Sequence, residues 1–288
     1  MSSPRQVAKI VEPREVMEGA GVRLRRSIGT ETLNYLDPFL LLDHFASREA
    51  ADYEAGFPMH PHRGIETVTY LLTGEIHHRD TVGNSGSIRA GDLQWMSAGG
   101  GILHEEMPQV RPEGIDGFQL WVNLPAKLKM SRPRYLGLSA DQITKTEVDG
   151  STIRIIAGSV GGVSGPITGI AADPIYMDVS VPPDTEFMHQ VTPGHNAFAY
   201  VFRGGAEFGG EASGSGETVE HTRLVVFGDG DYVRVATGAE PVRFLLVSGK
   251  PLLEPIARYG PFVMNTKQEI EQALRDLRAG TFVWSEKS

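Results

Sequence analysis

The stretch HPHRGIETVTYLLTGEIHH, residues 60–78, decides how this chain is read. Two histidines flank a proline, an Arg-Gly pair follows, and a β-branched apolar run begins at once. On a strand, residues i and i+2 share a face, so His60 and His62 aim together, about 6–7 Å apart along the backbone. Pro61 cannot donate a ladder hydrogen bond, which predicts an edge or the start of a strand. Gly64 permits a close turn. His77 and His78 are adjacent, point to opposite faces, and read as exposed strand-end residues.

A second segment, AGGGILHEEMP at 98–108, carries the complementary pattern. His104 and Glu106 again stand at i and i+2, after a glycine turn, and Glu105 points the other way. Two such strand pairs facing each other across a barrel would bring three imidazole nitrogens and one carboxylate oxygen to one ion. Such a set leaves open positions on an octahedral metal and suits Fe(II), with Mn, Ni, Cu or Zn also accepted by imidazole. Glu66, four residues after His62, competes with Glu106 for the carboxylate role. Gly99, Gly100 and Gly101 leave room beside the ligands, and Met59, Met96 and Met107 offer an adaptable apolar lining. His44 reads as structural, or as a residue near the mouth of the site. His189, His195 and His221 lack a paired ligand and read as loop or packing residues.

The totals fit this picture. The 288 residues allow two domains of ordinary size, and 34 glycines with 18 prolines favour short strands joined by tight turns. With no cysteine, disulfides, thiolate ligands and cysteine nucleophiles are excluded, so a metal must be held by His, Asp or Glu. A net charge of -9 without a Lys/Arg cluster argues against direct nucleic-acid binding. No apolar run approaches the roughly 18 residues of a membrane span, and the N-terminus lacks a signal-peptide core. A cytoplasmic protein is expected, nuclear as well if the source is an animal, and a monomer.

Strand-like runs recur at 22–28, 66–72, 91–96, 117–124, 151–158, 174–181, 197–204, 222–227, 231–236 and 242–249. Their spacing predicts barrels or sandwiches. Residues 125–150 are more polar and read as the crossing between domains, and 209–221 as a flexible loop. Near the C-terminus, Thr266 and Glu269 have capping-box spacing. Ile270, Ala273, Leu274 and Leu277 mark one apolar face, and Gly280 ends this short helix. The two halves resemble each other: FPMHPHRGIETVTYLLTGEI can be laid beside FMHQVTPGHNAFAYVFRGGAEF, and RAGDLQWMSAG beside FGDGDYVRVATG. The reading is a duplicated barrel in which only the first copy keeps His-x-His.

HPHRGIETVTYLLTGEI, GDLQWMSAGGGILHEEMP, GFQLWVNLP and LLEPIARYGPFVMNTKQEI together make the chain similar to the pirin family of the cupin superfamily. The resemblance implies an all-β bicupin. Its two antiparallel jelly-roll barrels would pack face to face, over residues 1–135 and 136–288, with the helix in the second part. It implies a single metal, in the first barrel only, and assigns the ligands to His60, His62, His104 and Glu106. Glu66 then becomes a supporting residue. The implied activity is that of a quercetin 2,3-dioxygenase, which opens a flavonol ring with dioxygen around one mononuclear divalent metal, Fe(II) before the others. Glu106 would take the hydroxyl proton of this small aromatic substrate. The alternative implied by the family is a non-catalytic iron protein that binds a transcription factor or a metabolic enzyme.

Overall fold

Each strand-like run forms a strand in the computed structural model, which describes residues 2–211 and 215–285. The chain divides into two compact units. One contains Arg14–Gly29, Phe39–Ala140 and the segment from Leu252 onward; the other contains the residues up to Pro13, Thr30–Pro38 and Asp141–Pro251. The division at Ala140 and Asp141 falls close to the expected boundary, but the terminal segments are exchanged. Strand Val7–Val11 pairs with Arg223–Phe227 in the second unit, and helix Lys267–Ala279 belongs to the first.

The first unit is a jelly roll of two antiparallel sheets. Its seven-stranded sheet runs in the order Arg134–Leu138, Leu93–Ser97, Ile65–Thr73, Ile115–Asn123, Phe39–Ser47, Val22–Ile28, Arg14–Glu18. Its four-stranded sheet runs Phe57–His62, Ile102–Pro108, Glu75–Asp80, Ser85–Arg89. Val22, Leu24, Phe45, Leu71, Ile76, Ile88 and Ile115 form an apolar core between strands of both sheets. Phe57–His62 is an edge strand, as Pro61 requires. The expected crossing at 125–150 is ordered, since Arg134–Leu138 extends the first sheet and Thr144–Val148 pairs with Ser151–Ala157 in the second unit.

The turn after His62 is locked from several sides. Gly64 has φ +79, and a Cβ there would lie 2.0 Å from the Val263 carbonyl oxygen, so only glycine fits. The buried Lys129 ammonium donates to the carbonyls of Gly64 (2.9 Å) and Val263 (2.8 Å) and to Asn123 Oδ1 (2.7 Å). Arg63, also buried, donates to Asp276 Oδ2 at 2.6 Å and to the Phe282 carbonyl at 3.0 Å. Asp276 lies on the C-terminal helix, which starts with the expected capping box: Thr266 Oγ1 accepts from the Glu269 N–H, and Glu269 Oε2 accepts from the Thr266 N–H. Ile270 and Ala273 bury its apolar face against Phe262, Met264 and Phe282.

The second unit is built on a ten-stranded antiparallel sheet with one large apolar core. The internal duplication is visible in its pairings. Glu186–Gln190 pairs with Tyr232–Ala236 as Phe57–His62 pairs with Ile102–Pro108. Asn196–Phe208 pairs with Arg223–Phe227 as Ile65–Thr73 pairs with Leu93–Ser97. The strand matching GDLQWM is therefore Arg223–Phe227, one strand earlier than the sequence overlay placed it. Of the loop expected at 209–221, residues 212–214 lie outside the described residues, and Glu217–Glu220 is a strand.

Candidate metal centre

Three imidazoles converge in the first unit. His60, His62 and His104 each offer a ring nitrogen within 4.8 Å of the others. The two segments do not face each other across a barrel, as the sequence reading had it. Phe57–His62 and Ile102–Pro108 are neighbours in one sheet, with His60 directly opposite His104 and His62 opposite Ile102. Adjacent antiparallel strands bring facing side chains close without any long reach. The ring centroids lie 4.8 Å apart for His60–His62, 4.4 Å for His60–His104 and 5.0 Å for His62–His104.

The donor set fits a metal. His60 Nδ1–H donates to the Pro58 carbonyl oxygen at 2.9 Å, which leaves Nε2 free to ligate. Nε2 of His60 and Nε2 of His62 stand 3.0 Å apart. Two nitrogens each about 2.1 Å from one ion are about 3.0 Å apart at a right angle and about 3.4 Å apart at the tetrahedral angle. The observed spacing would let both nitrogens ligate one ion. Two imidazoles can also share a proton at this distance, but His104 has no such alternative: both its ring nitrogens are buried without a protein partner. Burial, and then the neighbouring imidazoles, hold His62 and His104 well below the ordinary histidine range. Both rings are therefore neutral, the form that binds a cation.

Glu106 is not a member of this triad, although it lies on the same strand as His104. Its buried carboxylate accepts from Thr69 Oγ1 (Oε1, 3.0 Å) and from Gln119 Nε2 (Oε2, 3.0 Å). Glu66 occupies other surroundings. It is buried, its carboxyl is pushed up by burial, and Trp95, Arg134 and Ser97 partly offset that rise.

Behind Glu106 runs a feature the sequence reading missed. Arg26, Asp43, Gln119, Thr69 and Gln94 are successive cross-strand partners, one on each of five adjacent strands. They form a polar row across the sheet. Arg26 grips both Asp43 oxygens at 2.7 Å and reaches Glu18 at 2.7 Å. Burial pushes the Asp43 carboxyl up to about 6, against the pull of Arg26. At the other end Gln94 Nε2 donates to His78 Nε2 at 2.9 Å. His78 is thus half-buried, not an exposed strand end; His77 is exposed and pairs with Glu75. The signal was present in part, as Gln119 in GFQLWVN and Gln94 in LQWMS, because buried polar groups demand partners.

A cavity of about 540 Å³ opens beside the triad. His60, His62, Gln119, Trp121, Asp43 and Arg26 line it, with Phe57, Pro58, Leu41, Arg258 and Pro261. Trp121 meets the His62 ring edge-on at 5.2 Å. None of Met59, Met96 and Met107 lines this cavity, and Met96 is core. Gly99 and Gly101 do not leave room for a ligand. A Cβ there would fall within 2.1 Å of Ser131 O and 2.2 Å of Phe282 O, so these glycines admit neighbouring backbone. His44 is buried, stacks on Phe118 at 4.6 Å and bonds Asp116 at 3.0 Å, a structural role. In the second unit His189 faces Val233 where His60 faces His104. Among the described residues no second group of metal-binding side chains forms.

Comparison with known proteins points the same way. Residues 21–122 match the family model described as Pirin, and residues 176–283 match that of the Pirin C-terminal cupin domain. The chain is 44% identical over 280 residues to a pirin-like protein of Caulobacter vibrioides, covering 96% of this chain and 99% of that one. It is 42% identical over 281 residues to human pirin, covering 96% and 94%. Among solved structures it is similar to a quercetin 2,3-dioxygenase from Acinetobacter baumannii, with a TM-score of 0.86, 32% identity, and coverage of 97% and 99%.

Proposed function

The chain belongs to the pirin family, and on that premise we propose that it is a metal-dependent dioxygenase of the quercetin 2,3-dioxygenase type. The observation that carries this reading is the imidazole triad, with His62 and His104 buried and with His60 and His62 on the wall of a cleft large enough for a planar aromatic molecule. A likeness across nearly the whole chain to a structure described as a quercetin 2,3-dioxygenase supports it. His60, His62 and His104 would hold one divalent ion, Fe(II) before Mn, Ni, Cu or Zn, with Glu106 as the fourth ligand. Bound there, the ion supplies Lewis acidity toward a chelating hydroxyl and access to dioxygen chemistry.

The protein's own part follows from the cleft. Leu41, Phe57, Pro58, Trp121 and Pro261 offer apolar surface to a flavonol and displace water from it. Glu106, two residues from His104 on the same strand, takes the proton of the substrate 3-hydroxyl. Thr69 and Gln119 hold its carboxylate while it does so. The test is oxygen-dependent loss of flavonol absorbance, with release of carbon monoxide, by protein loaded in turn with Fe(II), Mn, Ni and Cu. Turnover by at least one form that His104→Ala abolishes supports the reading; no turnover by any form overturns it.

A further inference from the structure

Two guanidinium groups face the cleft, and they are not equivalent. Arg26 is saturated, with Asp43 held by two nitrogens and Glu18 by a third. Arg258 projects from the short strand Ala257–Tyr259. It donates only to backbone carbonyls, Leu40 O at 3.2 Å and Gly260 O at 3.5 Å. Among the described residues it has no ion-pair partner. Its charge lies 5.1 Å from the centroid of Trp121, the same ring that meets His62 edge-on. One indole thus separates Arg258 from His62 along the wall of a single cavity, whose carboxylates, Asp43 and Glu18, act on the Arg258 charge but are gripped directly by Arg26. A guanidinium has five donors in a planar fork and cannot lose its charge, so its unused donors suit an anionic oxygen.

We propose that Arg258 selects the substrate. It takes a carboxylate or phenolate oxygen at the far end of a planar aromatic molecule whose near end reaches the histidines. The apolar walls at Phe57, Pro58, Leu41 and Pro261 accept the aromatic body between these two polar ends. The preferred substrate is accordingly an aromatic anion, not a neutral flavonol. The assignment rests on the reading of this cleft as the substrate site.

The test is calorimetric titration of nickel-loaded full-length protein under argon. The first ligand pair is a flavonol bearing a carboxylate on its pendant ring and the methyl ester of that flavonol. The second pair, 2-naphthoate and 2-naphthamide, keeps the aromatic anion but lacks the chelating hydroxyketone. In the unaltered protein each anion is expected to bind at least about tenfold more tightly than its neutral partner. In Arg258→Gln both ratios are expected to fall to about one with nickel affinity unchanged, and Arg258→Lys is expected to restore part of the preference. Ratios near one in the unaltered protein, or ratios that survive in Arg258→Gln, overturn the assignment. If neither flavonol binds while the naphthoate preference holds and depends on Arg258, the flavonol reading fails and the anion site stands.

Discussion

His60 and His104 face each other across one antiparallel ladder, their ring centroids 4.4 Å apart, on an edge strand and its neighbour. The site is therefore fixed by one pairing register. A shift of a single residue would turn either ring to the opposite face of the sheet.

The ligand set predicts a sharp division among substitutions. His62→Ala and His104→Ala abolish tight metal binding, read by elemental analysis after dialysis against a weak chelator. Glu66→Gln keeps the metal, because that carboxyl is not part of the triad. Retention of metal in Glu106→Gln together with its loss in Glu66→Gln would reverse the proposed carboxylate assignment.

The polar row predicts an effect from residues that touch no metal. Gln119→Leu and Thr69→Val each remove a donor to Glu106. Partners of this kind support metal affinity by about 10- to 100-fold. The expected outcome is weaker metal binding in competition titrations and an altered electron paramagnetic resonance signal in the oxidised iron form. An unchanged signal would show that Glu106 does not depend on them.

Lys129 predicts a pH dependence of stability. Burial holds its ammonium down to about 8, against Glu254 and Glu269, which pull it up. Between that value and the ordinary lysine range the unfolded chain keeps a proton that the folded chain has lost. Stability contributed by this group therefore rises with pH through that window, by up to about 3 kcal/mol. Urea unfolding at steps from pH 7 to 10.5 should show the rise, and Lys129→Met should remove it.

The link between helix and site predicts a large loss from one distant carboxylate. Asp276→Asn leaves the Arg63 guanidinium, 3% exposed, without its counter-charge. Asp276 is itself 20% exposed, so the loss falls below the range for a fully buried pair, at about 2 kcal/mol. Thr266→Ala removes only a cap and costs about 1 kcal/mol. Denaturation midpoints should rank the two in that order.

Much of this was legible in the chain. His-x-His around a proline and His-x-Glu after glycines name the imidazoles, because period-two spacing fixes which side chains share a face. The helix was marked by its capping box and apolar stripe. What escaped depended on pairing between distant segments. Nothing in PRQVAKIV says that Val7–Val11 will join Arg223–Phe227, and nothing in the histidine spacing says that the strands of His60 and His104 will be neighbours in one sheet. Gln119 looks like a polar break in an apolar strand and Thr69 like one of several threonines in its own, and only their alignment across neighbouring strands makes them a row. Asp276 reads as a surface helix residue until Arg63 is seen against it.

The exchange of terminal segments bears on when the HPH turn becomes ordered. Asp276, the Val263 carbonyl and the helix that steady the HPH turn all come from the segment beginning at Leu252. During synthesis the histidines leave the ribosome long before that segment does. A nascent chain therefore presents its imidazoles before the frame that orders the HPH turn, which waits on the segment from Leu252.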